Sequence, residues 1–293
     1  MAKPQGKIVR VNGRKMHIRQ MGIGEKTIVL LPGLGCPLPT VEFAPLMRKL
    51  SEKHTVCTIE FFGYGFSDST DTPRTNANYV EEIRETLKMA EIKPPYVLMP
   101  YSASGIYSEY YAAKYPNEVA GLILLDSTPT IEAFAQMWTY TDDEIKELKT
   151  ALEKTEHSEE TPYDEEAINK IIAEYLHHGY TLEELEEIDE IPNHQDTLIA
   201  QDIALSENIL EVLAMPIPKE IPILTFSSSM LELDDDERIK HENFRKEHME
   251  RLGEKAKLVI IDGSNHLDIA YHRDYRKIIS SEIDKFLECA EYA

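Results

Sequence analysis

Tyr96-Val97-Leu98-Met99-Pro100-Tyr101-Ser102-Ala103-Ser104-Gly105 is an apolar run that ends in small residues and passes without a spacer into a helical pattern. A strand that turns directly into a helix admits only small side chains around the turn and holds the residue at its apex in a constrained backbone. Ser102 stands at that apex, with Pro100 and Ser104 two positions to either side and Gly105 next. Placing the apex at Ser104 would put Ile106 where a small residue is needed, so Ser102 is the candidate. A serine at such a turn often does no more than cap the helix. The surroundings decide.

Outward from this turn, short β-rich runs alternate with helical ones. KIVRV, KMHIRQ and TIVLLPG lead to a helix near residues 40–51, then TVCTIEF and a helix near 76–91. After YVLMPY and a helix from about 104 come GLILLDS, IPILTF, a charged helix near 236–252, KLVIID and a last helix near 274–289. Strands alternating with helices of 10–15 residues imply right-handed crossovers and a mostly parallel sheet covered on both faces. Asn12-Gly13 between the first two runs is a hairpin signal and predicts an antiparallel edge. The expected class is α/β, with eight strands.

The chain has 293 residues, 42% hydrophobic and 29% charged, which excludes a disordered or fibrous protein. Its net charge of −22 disfavours phosphate backbones and anionic lipid as partners, so neither nucleic acid nor membrane is expected. No apolar run reaches the roughly 18 residues of a membrane helix. The first residues, MAKPQGKIVRVNGRK, lack the apolar core of a signal peptide. Cys36, Cys57 and Cys289 are odd in number and widely spaced, suggesting neither a disulfide framework nor a zinc site. A reduced, cytoplasmic protein is the expectation.

The charge is uneven. Residues 131–218 carry 23 acids and 4 bases, net −19, and the remainder is close to neutral at net −3. Within that stretch TDDEIKELKTALEKTEH, DEEAINKIIAEYLHHG and TLEELEEIDEI place apolar residues three and four apart, as helices do. An α/β core of residues 1–130 and 219–293, interrupted by an acidic helical cap at 131–218, is the expected division.

Reacting groups of an open α/β sheet belong at the carboxyl ends of its strands. The third strand ends in Leu31-Pro32-Gly33-Leu34-Gly35, the fifth in the Ser102 turn and the sixth in Asp126. The eighth is followed by Asp262-Gly263-Ser264-Asn265-His266. Serine, acid, histidine, each just past a strand, is a chain order with a chemistry: a hydroxyl needs a base to become a nucleophile, and a carboxylate orients that base. Among the ten histidines His266 alone sits past a core strand in a Gly-x-x-His turn. His17 lies within a strand and His54 precedes one. His157, His177, His178 and His194 fall in the acidic insert; the adjacent pair 177–178 lacks metal-ligand spacing. His241 and His248 fall on the charged helix and are expected in solvent.

These parts, together with Glu60-Phe61-Phe62-Gly63-Tyr64-Gly65-Phe66-Ser67-Asp68 after the fourth strand, resemble the α/β-hydrolase superfamily, in the branch with a helical cap after strand six. The elbow departs from the usual G-x-S-x-G at Pro100 and Ser104, Tyr101 stands where histidine is frequent, and Pro32-Gly33 replaces His-Gly. Glu60 and Phe62 replace the more frequent Asp and Arg. No departure removes a reacting group.

The resemblance implies Ser102 as nucleophile, His266 as base, and an oxyanion hole from the backbone N–H groups of Leu34 and Ala103. In most of the superfamily the acid follows strand seven, where the first aspartate here is Asp234, after Glu232; Asp126, ending strand six, is preferred because it directly follows an apolar strand. Phe134, Met137 and Trp138, at the opening of the insert, are candidate pocket walls or simply cap packing. No cofactor or metal is implied. The acidic insert beside the entrance predicts a neutral or cationic small-molecule substrate.

The implied activity is hydrolysis of a small carboxylic ester through an acyl-enzyme. Thioesterases, lactonases, amidases, carbon–carbon hydrolases and cofactor-free haloperoxidases share the same triad and stay open, whereas Ser102 argues against the aspartate nucleophile of dehalogenases and epoxide hydrolases. From another class, a non-hydrolytic small-molecule receptor on the same scaffold also stays open. Turnover of a short ester separates the two classes.

Overall fold

The computed structural model describes residues 5–155, 165–188, 195–230 and 233–289; His157, His194 and Glu232 lie outside them. Asn12 and Gly13 both take positive φ, 50° and 81°, and fold Lys7–Val11 (β1) back on Arg14–Met21 (β2) as an antiparallel hairpin. Thr27–Leu31 (β3), Thr55–Glu60 (β4), Tyr96–Pro100 (β5), Val119–Leu125 (β6), Ile223–Ser228 (β7) and Lys257–Ile261 (β8) complete one sheet, ordered β1-β2-β4-β3-β5-β6-β7-β8. β2 is antiparallel to β4, and every later pairing is parallel. The runs TIVLL, YVLMP and VAGLILL are buried along nearly their whole length, which is what helices on both faces require.

From β3 the chain crosses to β4 on one side, then returns past β3 to β5 on the other. Right-handed crossovers taken in opposite directions put their helices on opposite faces. The loops leaving β3 and β5 therefore diverge, and the crevice outside their ends is the place where such a sheet receives a ligand.

The helix expected near 40–51 is two, Pro39–Glu42 (α1) and Ala44–Leu50 (α2), because Pro45 in the first turn of α2 has no N–H with which to continue α1. Asn76–Met89 (α3) precedes β5 and packs against Ser104–Lys114 (α4), which follows it.

Between β6 and β7 lie Glu132–Met137 (α5), Asp142–Thr155 (α6), Glu165–His178 (α7), Leu182–Ile188 (α8) and Gln195–Leu213 (α9). α9 shares the main core: Leu205, Ile209 and Val212 are buried with the sheet residues. Its Gln201 amide donates to the Tyr107 hydroxyl (3.1 Å), and its carbonyl accepts from Tyr64. α8 is tied down by charge, with the buried Glu184 between Arg19 (3.2 Å) and Arg48. The other elements are Asp235–Leu252 (α10), His266–Tyr271 (α11) and Arg273–Cys289 (α12), the last packed on α2. Among the described residues no helix is long and apolar enough to cross a membrane.

Candidate active site

Ser102 takes φ 53°, the left-handed region that a non-glycine residue enters at a cost of about 1–3 kcal/mol. Its N–H is held by Leu125 O (3.1 Å), and the Ser104 hydroxyl donates to Pro32 O, which ties the turn to the loop after β3. Both neighbours of the turn approach closely. A Cβ on Gly105 would lie 2.6 Å from Ser127 Cβ, and one on Gly33 2.9 Å from Ser102 Cβ. No acceptor among the described residues takes the N–H of Leu34 or Ala103. Ala103 immediately precedes α4, so its N–H belongs to the positive end of that helix.

His266 opens α11, whose start is fixed by a reciprocal cap between Asn265 and Asp268. His266 Nε2 lies 3.2 Å from Ser102 Oγ, and Nδ1 lies 2.8 Å from Asp126 Oδ2. Asp126 sits directly after β6 with φ 42° and is 8% exposed. Its buried charge is met by Ser228 N (2.9 Å), Ser228 Oγ (2.9 Å) and Ser227 Oγ (3.2 Å) in addition to the imidazole. The Tyr101 ring stacks on His266, centroids 4.9 Å apart, and its hydroxyl donates to His266 O (3.3 Å). Burial pushes the Tyr101 phenol well above its ordinary range, which keeps it a neutral donor.

Of the two candidate acids, the structure brings Asp126 to the histidine and leaves Asp234 elsewhere: Asp234 caps α10 by accepting from Glu237 N (2.9 Å). Glu60 is wholly buried, accepting from Thr40 Oγ1 and Phe66 N (2.7 Å). It braces the loop after β4.

A cavity of about 310 Å³ opens on Ser102, Asp126 and His266. A larger one, about 610 Å³, lies between α7 and α11 and touches none of the three, so volume does not locate the chemistry. Phe134 and Trp138 line the smaller cavity. Met137 does not: it is 49% exposed, since residues 134 and 138 share a helix face and 137 turns about 100° away from 138.

Two sequence expectations need correction. First, His241 and His248 are not solvent residues; both line the cavity with Arg245 from the same helix. His248 is 4% exposed and lies 2.7 Å from Oε1 of the buried Glu109, whose Oε2 accepts from Thr130 Oγ1 (2.7 Å) and Arg251 Nη2 (3.4 Å). Residues 241, 244, 245, 248 and 252 form a helical stripe, and histidine and arginine on it concealed it from a search for apolar periodicity. Second, the acidic insert does not dominate the site. No described residue of 141–218 lines the cavity, and Asp126 is its one carboxylate among the described residues, so the lining described gives no support to the expectation of a neutral or cationic substrate.

A family model described as the alpha/beta hydrolase fold matches residues 26–154, a span that holds Ser102 and Asp126. The uncharacterized protein YbdG of Bacillus subtilis (strain 168) is 36% identical over 126 residues, 43% of this chain and 39% of that one. A pimeloyl-[acyl-carrier protein] methyl ester esterase of Xylella fastidiosa (strain M12) is 31% identical over 114 residues, 39% and 41% of the two chains. The matched stretch thus spans less than half the length of these relatives. Over nearly the full length, the structure is similar to the esterase EaEST of Exiguobacterium antarcticum, with TM-score 0.66, 18% identity, and coverage of 97% and 100%.

Proposed function

We propose that this chain is a serine hydrolase of the α/β-hydrolase superfamily that cleaves a small carboxylic ester through an acyl-enzyme. One observation carries the reading: the hydrogen-bonded relay from Ser102 Oγ through His266 to Asp126, at 3.2 and 2.8 Å. Ser102 Oγ attacks the ester carbonyl as its proton passes to His266 Nε2. Asp126 holds the imidazole by Nδ1 and stabilises its cationic form. The oxygen that gains charge is met by the N–H groups of Leu34 and Ala103, donors worth about 3–4 kcal/mol each in the transition state. His266 then protonates the departing alcohol, and a water molecule repeats the sequence to release the acid. The helices of 131–218 serve as a cap, with α5 contributing Phe134 and Trp138 as an apolar wall.

Oxygen-ester cleavage is favoured over the other reactions of this triad because the partial relative in Xylella fastidiosa is named a methyl ester esterase. Release of nitrophenol from 4-nitrophenyl acetate and butyrate tests the reading. Ser102→Ala and His266→Ala should each bring the rate to background in a protein that keeps its circular dichroism. Near-wild-type turnover by either variant would sink the mechanism.

A further inference from the structure

Arg245 lines the cavity that holds Ser102, and among the described residues its hydrogen bonds use one nitrogen only. Nη1 donates to Ser227 Oγ (3.3 Å) and Ser228 O (3.4 Å), while Nε and Nη2 donate to no described residue. No carboxylate of a described residue pairs with this guanidinium. Arg251, six residues further along α10, shows what a structural arginine looks like here. Its Nε donates to Thr130 Oγ1 (3.0 Å), Nη1 to Leu213 O (3.4 Å), and Nη2 to Val212 O (2.7 Å) and to Glu109 Oε2 (3.4 Å). One arginine is spent on the fold; the other is anchored by one nitrogen and keeps an edge of two donors.

We propose that this edge is a carboxylate subsite, so that the substrate is the half-ester of a short dicarboxylic acid rather than a neutral ester. The proposal rests on the ester-hydrolase reading and specifies its substrate. The planar fork of Nε and Nη2 matches a carboxylate with two parallel hydrogen bonds, a match that an ammonium or a neutral donor does not offer. Ser227 Oγ accepts from Arg245 and donates to Asp126 Oδ1 (3.2 Å), so the anchor is one hydroxyl removed from the triad acid. Asp126 is the one carboxylate lining the cavity among the described residues, and its oxygens already serve Ser228 and His266. Among the described residues, an incoming anion therefore meets a cation with an unused edge and no free like charge. A volume of about 310 Å³ suits a short chain between that anion and the ester carbonyl.

Binding to the Ser102→Ala protein separates recognition from turnover. By calorimetry, monomethyl glutarate should bind at least tenfold tighter than dimethyl glutarate, and Arg245→Gln should remove the difference. Arg245→Lys should restore only part of it, because charge returns without the fork. In the otherwise native enzyme, Arg245→Gln should lose at least tenfold more kcat/KM on 4-nitrophenyl hydrogen glutarate than on 4-nitrophenyl butyrate, chiefly through KM. Equal binding of the two glutarates, or equal loss on the two nitrophenyl esters, overturns the subsite and leaves the hydrolase reading standing. Tighter binding of the monoanion with no turnover of any ester does the reverse: the subsite holds and the hydrolase reading fails.

Discussion

The acidic insert and α10 are both dense in charge, and they act on the candidate site in opposite ways. The insert carries net −19, yet no described residue of 141–218 contributes to the cavity wall. α10 holds six acids and five bases, almost balanced, and yet it supplies His241, Arg245 and His248 to that wall. Composition sets the field far from a protein, whereas orientation sets it inside a cavity. On α6 the acids of the first turn face solvent, where salt screens a charge over about 10 Å at 0.1 M, whereas one stripe of α10 turns its charged and polar groups into the cavity.

The sharpest contrast between the regions is between two aspartates. Asp126→Asn should lower turnover of a short ester by roughly 10⁴, the scale set by loss of the triad acid. Asp234→Asn should leave turnover within about twofold, because asparagine caps a helix as well as aspartate does. A large loss at Asp234 with Asp126→Asn still active would move the acid to the end of β7. Next in size is the cluster beneath α10. Glu109→Ala strips the carboxylate from Arg251 and leaves His248 without its partner, a loss of about 3–5 kcal/mol in stability. At about 2–4 °C per kcal/mol for a chain of this size, Tm should fall by roughly 10 °C. A shift under about 2 °C would mean that the cluster carries no structural weight.

The smallest effect belongs to the insert. Replacing the exposed acids Asp142, Asp143, Glu183 and Glu186 with their amides should change kcat/KM for an anionic half-ester by less than about twofold at 0.15 M salt, where screening acts over about 8 Å. A severalfold gain would show that the acidic face does guard the entrance.

The sheet was legible because its strands are short apolar runs that end abruptly, and Ser102, Asp126 and His266 stand at three of those ends. Asp126 was readable for a physical reason: a carboxylate that directly follows Leu124-Leu125 is buried and must have a partner. The wall was harder. α10 shows no apolar stripe, since its inward positions are filled by His241, Arg245 and His248 as well as Phe244 and Leu252, and their common face emerges only from the helical spacing. Glu109 was invisible because its partners arrive from β6's exit loop and α10, 21 and 139 residues away. Met137 was misplaced by one step of helical register, which sequence proximity to Trp138 does not resolve.

The central claim is that Ser102 is an activated nucleophile, and a fluorophosphonate tests it without knowledge of the substrate. Treat the folded protein with the reagent, measure the intact mass, and locate the adduct by peptide mapping. The account requires one adduct, on Ser102, lost in His266→Ala and unaffected in Asp234→Asn. A folded protein that takes no adduct, or takes it on Ser104 instead, would contradict it.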